Sequence, residues 1–345
     1  FHHAQSQIHR FMNLAGGYVR HKNSYSHAAA EVMLKHTVAE MKDIIHEKAT
    51  DWPSIASDCE LFIAFGGLPA KNAQVNLGGV GRHTLHEGMQ SCYDAGVEFV
   101  NISPVKTDIA HIFDPEWITI RPNTDSAMML ALAYTLVNEG LYDKNFISTH
   151  TVGLEKFIPY LNGDKDGQPK NAEWAAQITG VPAQTIIDLA RRMAQSRTMI
   201  STAWSLQRSD HGEQPIWLTV VLASLLGQIG LPGGGFGIGY GCENGIGNPV
   251  KIFKWPALSQ GINAVKEFIP VARIADMLLH PGTKFDYDGE KLSYPDIRLL
   301  YWAGGNPFHH HQDLNRLVDA FRQPCLLYTS DAADERSSVD LGGRR

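Results

Sequence analysis

A chain of 345 residues that is 43% hydrophobic and 19% charged, with 32 glycines and 17 prolines, holds enough apolar material for a large core and about two domains. That balance excludes a disordered polyelectrolyte, a coiled coil and a collagen-like repeat. A formal charge of −6 with no basic stripe argues against a nucleic-acid partner. The longest apolar stretch, Ile216 to Ile229, is broken by Thr219, Ser224 and Gln228 and is too short to span a membrane. Cys59, Cys92, Cys242 and Cys325 form no CxxC pair, so neither a disulfide framework nor an iron–sulfur cluster is expected in this segment.

Along the chain, short apolar runs alternate with loops and amphipathic stretches, the pattern of an α/β protein with a parallel sheet. Phe1 is not preceded by Met or by an apolar leader, which reads as a start upstream of this segment. Leu61 to Phe65 is a continuous apolar run, as expected of a strand covered on both faces, and it ends at Gly66-Gly67-Leu68-Pro69. Gly96 to Ile102 is a second strand, ending at Ser103-Pro104, and Trp117 to Ile120 a third, followed by Arg121-Pro122-Asn123-Thr124-Asp125. Ser126 to Val137 reads as an apolar helix with Thr124 or Asp125 as its N-cap.

A helix over Thr185 to Ala194 carries an apolar stripe, and Thr198 to Thr202 is a fourth strand. Gln214 to Ile229 reads as a buried helix stopped at Gly230, and the glycine-rich stretch Gly233 to Val250 as a functional loop. Ile297 to Trp302 is a fifth strand, ending at Ala303-Gly304-Gly305-Asn306-Pro307, and a loop through His309-His310-His311 leads into a last helix over Gln312 to Arg322. Cys325 to Arg345 lacks periodicity and resembles the translation of a sequencing-library adapter, so a non-native, poorly packed tail is expected there.

Two strands close on Gly-Gly-x-Pro. They are either ordinary tight turns or the crevices of two similar Rossmann-like units with mostly parallel sheets. The second reading gives a discontinuous first domain over 1–30 and 255–324, a second over 31–254, and the tail over 325–345. Ligands of open α/β sheets bind beyond the carboxyl ends of the strands, where these loops offer short polar groups. The loop before Ser126 is either plain capping or an anion site, and Asp125 could accept hydrogen bonds from a ribose or guanine edge. Arg208 is either a surface cation or a bidentate phosphate ligand. Three adjacent histidines point in different directions and seldom converge on one ion, though one imidazole could turn toward a phosphate. No strand is followed by GxGxxG, and no P-loop occurs, which disfavours an ordinary NAD or ATP enzyme.

Four stretches carry a family resemblance. They are SLQRSDHGEQPIWLTVVLASLLGQIGLPGGGFG (Ser205 to Gly237), YWAGGNPFHHHQDLNRL (Tyr301 to Leu317), NSYSHAAAEVML (Asn23 to Leu34) and RPNTDSAMMLALAYTLV (Arg121 to Val137). Together they resemble the molybdopterin oxidoreductases of the dimethyl sulfoxide reductase family, in the subgroup that reduces biotin sulfoxide, trimethylamine N-oxide and dimethyl sulfoxide.

The resemblance implies molybdenum held by two molybdopterin guanine dinucleotides, with a serine oxygen as protein ligand. Matching Asn-Ser-Tyr-Ser places that ligand at Ser26, where relatives such as formate dehydrogenases carry Cys or selenocysteine. From spacing alone, Ser26 is an N-cap for the helix that follows. Matched cofactor positions are Lys71, Asn72, Ile102, Ser103, Asn123, Thr124, Asp125, Trp204, Ser205, Arg208, Asn306 and His310, with Arg208 also facing the metal pocket. At Ser103 many relatives carry Asp.

The implied reaction is oxygen-atom transfer from a small S-oxide or N-oxide, with electrons from an unidentified donor, in the bacterial cytoplasm or periplasm. Parts of the family's fold before Phe1 and after Pro324 are expected to be missing, so this polypeptide alone should bind cofactor weakly or not at all. A non-catalytic nucleotide-binding module of the same fold is the alternative.

Overall fold

The computed structural model describes residues 4–75, 82–248, 256–303 and 306–329. Its strands in chain order are β1 (Arg20–Lys22), β2 (Leu61–Phe65), β3 (Glu98–Ile102), β4 (Glu116–Ile118), β5 (Thr198–Thr202), β6 (Gly235–Ile238), β7 (Phe268–Pro270), β8 (Lys284–Tyr287), β9 (Glu290–Ser293), β10 (Leu299–Trp302) and β11 (Leu326–Thr329). Contacts divide the chain into two units, one of Phe1–Tyr25 with Phe253–Arg345 and one of Ser26–Ile252.

In the Ser26–Ile252 unit, five strands form one parallel sheet in the order β4-β3-β2-β5-β6. All five residues of β2 are buried, because helices cover both faces. Side chains alternate across the strand: Leu61, Ile63 and Phe65 enter one apolar cluster, and Phe62 and Ala64 the other. The first cluster includes the helix Asp125–Asn138, which is buried nearly all round and is apolar nearly all round for that reason. The second packs the helices Ala28–Thr37, Trp52–Asp58 and Leu85–Asp94. Burying a side chain such as Phe62 or Ile63 stabilises by about 1.5–3 kcal/mol, which makes the centre of this sheet the firmest part of the unit.

Strand order reverses at β2. β3 and β4 extend the sheet to one side, and β5 and β6 to the other. The ends of β2 and β5 therefore flank a topological switch point, the usual ligand crevice of such sheets.

Two expectations change in this unit. The buried helix runs over Glu213–Leu225 and ends before Gly227, which takes φ +66 against the side chain of Asp143, so Gly230 is not its stop. The glycine-rich stretch is not only a loop, since it begins with β6, paired with β5 from Met199↔Gly235 to Thr202↔Ile238.

The other unit is α/β without an open sheet. Its strands are three or four residues long and pair two by two, β1 with β7 and β10 with β11 in parallel, and β8 with β9 in antiparallel. Its core joins the helices Ile274–Leu279 and Leu314–Phe321 to Phe285, Tyr294 and Ile269. The fifth expected strand, β10, thus lies outside the five-stranded sheet.

The lead into the last helix is itself helical over Pro307–His310, because Asn306 Oδ1 accepts from the Phe308 amide and caps it. At the start of the tail, Leu326–Thr329 is a strand. It pairs in register with β10, and Leu327 packs on the core while Leu326 stays exposed. Gly304 and Gly305, the His310 side chain and the tail from 330 onward lie outside the described residues. Among the described residues, no helix is long and apolar enough to cross a membrane.

Candidate functional site

The Gly-Gly turn after β2 sits between two neighbouring loops. A Cβ on Gly66 would come within 2.7 Å of Ala203 Cβ, after β5, and a Cβ on Gly67 within 2.3 Å of Asp108 Cβ, after β3. Both glycines have positive φ, +83 and +75. Only residues without a side chain let the three strand-end loops meet this closely.

Ser26 and the turn after β5 form one group. The segment Trp204–Arg208 is a 3-10 turn. From it Gln207 Nε2 donates to the Ser26 carbonyl at 3.1 Å, and Gln207 Oε1 accepts from the Ala29 amide at 2.9 Å. The helix Ala28–Thr37 is entered at His27, whose side chain makes no capping bond, so Ser26 is not its N-cap. His27 packs edge-on to Trp204 with ring centroids 5.0 Å apart. Trp204 donates its amide to Cys242 Sγ at 3.3 Å, while its indole Nε1 is buried without a partner. Ser205 and Arg208 are exposed on the same turn. Burial pushes the Cys242 thiol up to about 11, so this sulfur is a packing group and not a thiolate.

A second group lies at the ends of β2 and β3. A cavity of about 250 Å³ is lined by Lys71, His86, Met89, Thr107, Asp108 and Phe113, among others. Ile102 is buried in the apolar cluster on the other face of the sheet from Met89 and Phe113. Ser103 is buried too, and its hydroxyl donates to Asp108 Oδ2 at 2.6 Å and accepts from the Val105 amide at 3.1 Å. A carboxylate, that of Asp108, thus lies beside Ser103. Asn101, one residue before the end of β3, donates to the carbonyls of Val105 and Lys106, and its Oδ1 is buried without a partner. Asn72 is exposed at the start of a short 3-10 helix.

The third group is the loop before the buried helix. Asn123 adopts φ +63 and is exposed. Thr124 stands at the cap position but bonds the Arg121 carbonyl at 2.7 Å instead of capping. Asp125 is only 7% exposed, and burial pushes its carboxyl up to about 6. In the other unit, Asn306 caps its short helix. His309 is exposed, whereas His311 is buried against Tyr25 and Trp302. These histidines do diverge.

Sequence reasoning missed Gln207 and Asp108. Nothing in a linear pattern marks Gln207, which bonds backbone groups 181 and 178 positions away. The GxGxG run (Gly237 to Gly241) serves packing: Gly239, at φ +92, admits the Trp204 ring where a Cβ would lie 2.1 Å from Nε1.

A parallel sheet that gathers cations, hydroxyls and a buried carboxyl beyond its strand ends, with no dinucleotide fingerprint, defines an α/β protein with a ligand crevice at its switch point. The chain belongs to the molybdopterin oxidoreductase family, whose model, described as "Molybdopterin oxidoreductase", matches residues 1–334.

It is 46% identical over 331 residues to biotin sulfoxide reductase of Cereibacter sphaeroides, covering 96% of this chain and 44% of that protein. It is 43% identical to dimethyl sulfoxide/trimethylamine N-oxide reductase of Rhodobacter capsulatus, covering 93% of this chain and 40% of the relative. Trimethylamine-N-oxide reductase of Haemophilus influenzae is 41% identical, with 96% and 41% covered. The chain thus spans about two fifths of the length of these relatives.

The family's cofactor is molybdenum bound by molybdopterin, and the residues present fit such a group. Among the described residues, no group of three or more His, Cys, Asp and Glu could hold a metal ion unaided. Polar atoms left unpaired at the strand ends, Asn101 Oδ1 and Trp204 Nε1, offer one acceptor and one donor to a ligand with hydrogen-bonding edges. A serine oxygen is a hard donor, suited to a high-valent metal.

Proposed function

We propose that this chain is the cofactor-holding part of a molybdenum-dependent reductase of S-oxides or N-oxides, working with two molybdopterin guanine dinucleotides. The observation that carries this reading is the joining of Ser26 to the turn Trp204–Arg208 through Gln207, which brings the matched metal ligand and three matched cofactor contacts into one bonded group. The relatives, reductases of biotin sulfoxide, dimethyl sulfoxide and trimethylamine N-oxide, support the substrate class. The two α/β units are proposed as the two cofactor-binding domains.

When bound, the cofactor supplies a metal that accepts an oxygen atom and stores two electrons. The chain's own residues hold and orient it. Ser26 offers its hydroxyl oxygen to the metal. Arg208 and Lys71 are exposed cations suited to phosphate oxygens, with Asn72 and Ser205 as neutral partners. Asp125, at the entrance of a 14-residue helix, accepts from the donor edge of a guanine, an anionic role that favours its ionised form. Asn123 and Thr124 shape that entrance. Ile102 and Ser103 are proposed contacts at the β3 end, and Asn306, in its own unit, is proposed as a cofactor contact there.

The test is Ser26→Ala in the molybdenum-loaded full-length enzyme, assayed by dye-linked reduction of methionine sulfoxide and trimethylamine N-oxide. Turnover should be abolished for both. Undiminished turnover would remove Ser26 as the ligand, and no turnover of either oxide by the loaded parent would favour a non-catalytic module.

A further inference from the structure

Gln207 is 5% exposed and neutral, and its amide is bonded to two backbone groups that bracket His27, the Ser26 carbonyl and the Ala29 amide. His27 makes no side-chain cap, so one of the free amides that opens the helix Ala28–Thr37 is satisfied from the turn after β5 and not from its own sequence. The backbone of Gln207 is itself closely packed: a Cβ on Gly212 would lie 2.0 Å from the Gln207 carbonyl oxygen. Such close approach at the start of the helix Glu213–Leu225 holds the turn against a rigid element.

We infer that Gln207 is a positioning residue, which sets where the Ser26 side chain is presented relative to Trp204, Ser205 and Arg208. This rests on the proposed role of Ser26 toward the metal. These two bonds are to backbone atoms, so they act on residue 26 whatever side chain it carries. Its geometry also demands one donor and one acceptor together. Glutamate at 207 keeps an acceptor for the Ala29 amide but turns a second acceptor toward the Ser26 carbonyl, and so loses one bond without changing size.

The experiment compares Gln207→Glu, Gln207→Leu and Ser26→Ala. In cofactor-free protein, Gln207→Leu should speed hydrogen exchange at the Ala29 amide at least about tenfold, whereas Gln207→Glu should leave Ala29 protected. In the molybdenum-loaded enzyme, Gln207→Glu should keep its metal while its melting temperature falls by a few degrees, because a buried bond is lost. Its molybdenum(V) paramagnetic resonance spectrum should shift, and kcat should fall about tenfold or more with KM nearly unchanged. An unaltered spectrum and kcat, or unaltered Ala29 exchange in Gln207→Leu, overturns the inference. If Ser26→Ala also leaves the spectrum unaltered, the ligand assignment falls with it. If Ser26→Ala shifts the spectrum and Gln207→Glu does not, only the positioning role is lost.

Discussion

The Ser103 hydroxyl donates to Asp108 Oδ2 at 2.6 Å while the Val105 amide donates back to the Ser103 oxygen, so this one buried serine holds both ends of the loop that follows β3. Ser103→Ala should cost about 1–3 kcal/mol in urea denaturation, the range for leaving buried partners unpaired. Ser103→Asp sets two carboxylates side by side and should destabilise as well. The double change Ser103→Asp with Asp108→Ser restores a hydroxyl–carboxylate pair and should recover most of that loss. A double variant as weak as the sum of its parts would show that the two residues are not coupled.

Asp125 links burial to pH. Its carboxyl moves from an ordinary 3.8 to about 6, because burial disfavours the ionised form. Between those values the folded state holds a proton that the unfolded state has released. Stability is therefore full below pH 3.8 and falls as pH rises to about 6, by roughly 3 kcal/mol. Asp125→Asn should remove this slope and protect the amides of the helix Asp125–Asn138 at pH 7. Hydrogen exchange at pH 4 to 7 reads the effect, and an unchanged slope in the variant would contradict it.

His311 has the opposite sign. Burial lowers its imidazole from 6.5 to about 4, so the folded state excludes a proton that the unfolded state binds. Its contribution is present above pH 6.5 and is lost as pH falls toward 4. His311→Gln keeps a hydrogen-bonding group beside Tyr25 and should make the helix Leu314–Phe321 insensitive to pH in that window. Acid-dependent exchange that persists in His311→Gln would exclude the imidazole as its source.

Gly239→Ala should be the most damaging of these changes. The new Cβ meets Trp204 Nε1 at 2.1 Å, and φ +92 is strained for any residue with a side chain. A loss of about 2–4 kcal/mol is expected, together with a change in tryptophan fluorescence as the ring is displaced. A variant with parental stability and emission would show that the ring yields freely.

The strands Leu61–Phe65 and Thr198–Thr202 were legible because an apolar or β-branched run buried on both faces has one reading. Gly235–Ile238 was not. Two of its four residues are glycines, and only the neighbouring β5 makes it a strand. The early end of the helix at Leu225 depended on Asp143, far away in sequence, packing against Gly227. Most candidate site positions came from recognisable motif stretches. The contacts that organise them, Gln207 to Ser26 and Ser103 to Asp108, depend on three-dimensional closure and left no periodic trace.

β2 lies between β3 and β5, and the residues that complete its second edge are made long after the first. During synthesis, Leu61–Phe65 therefore emerges with one side open and stays so while a whole set of helices is added. A nascent chain in that state presents an apolar, hydrogen-bond-hungry edge to anything near the ribosome. Guarding that edge until Thr202 has left the exit tunnel is the step at which a holdase chaperone would most affect yield.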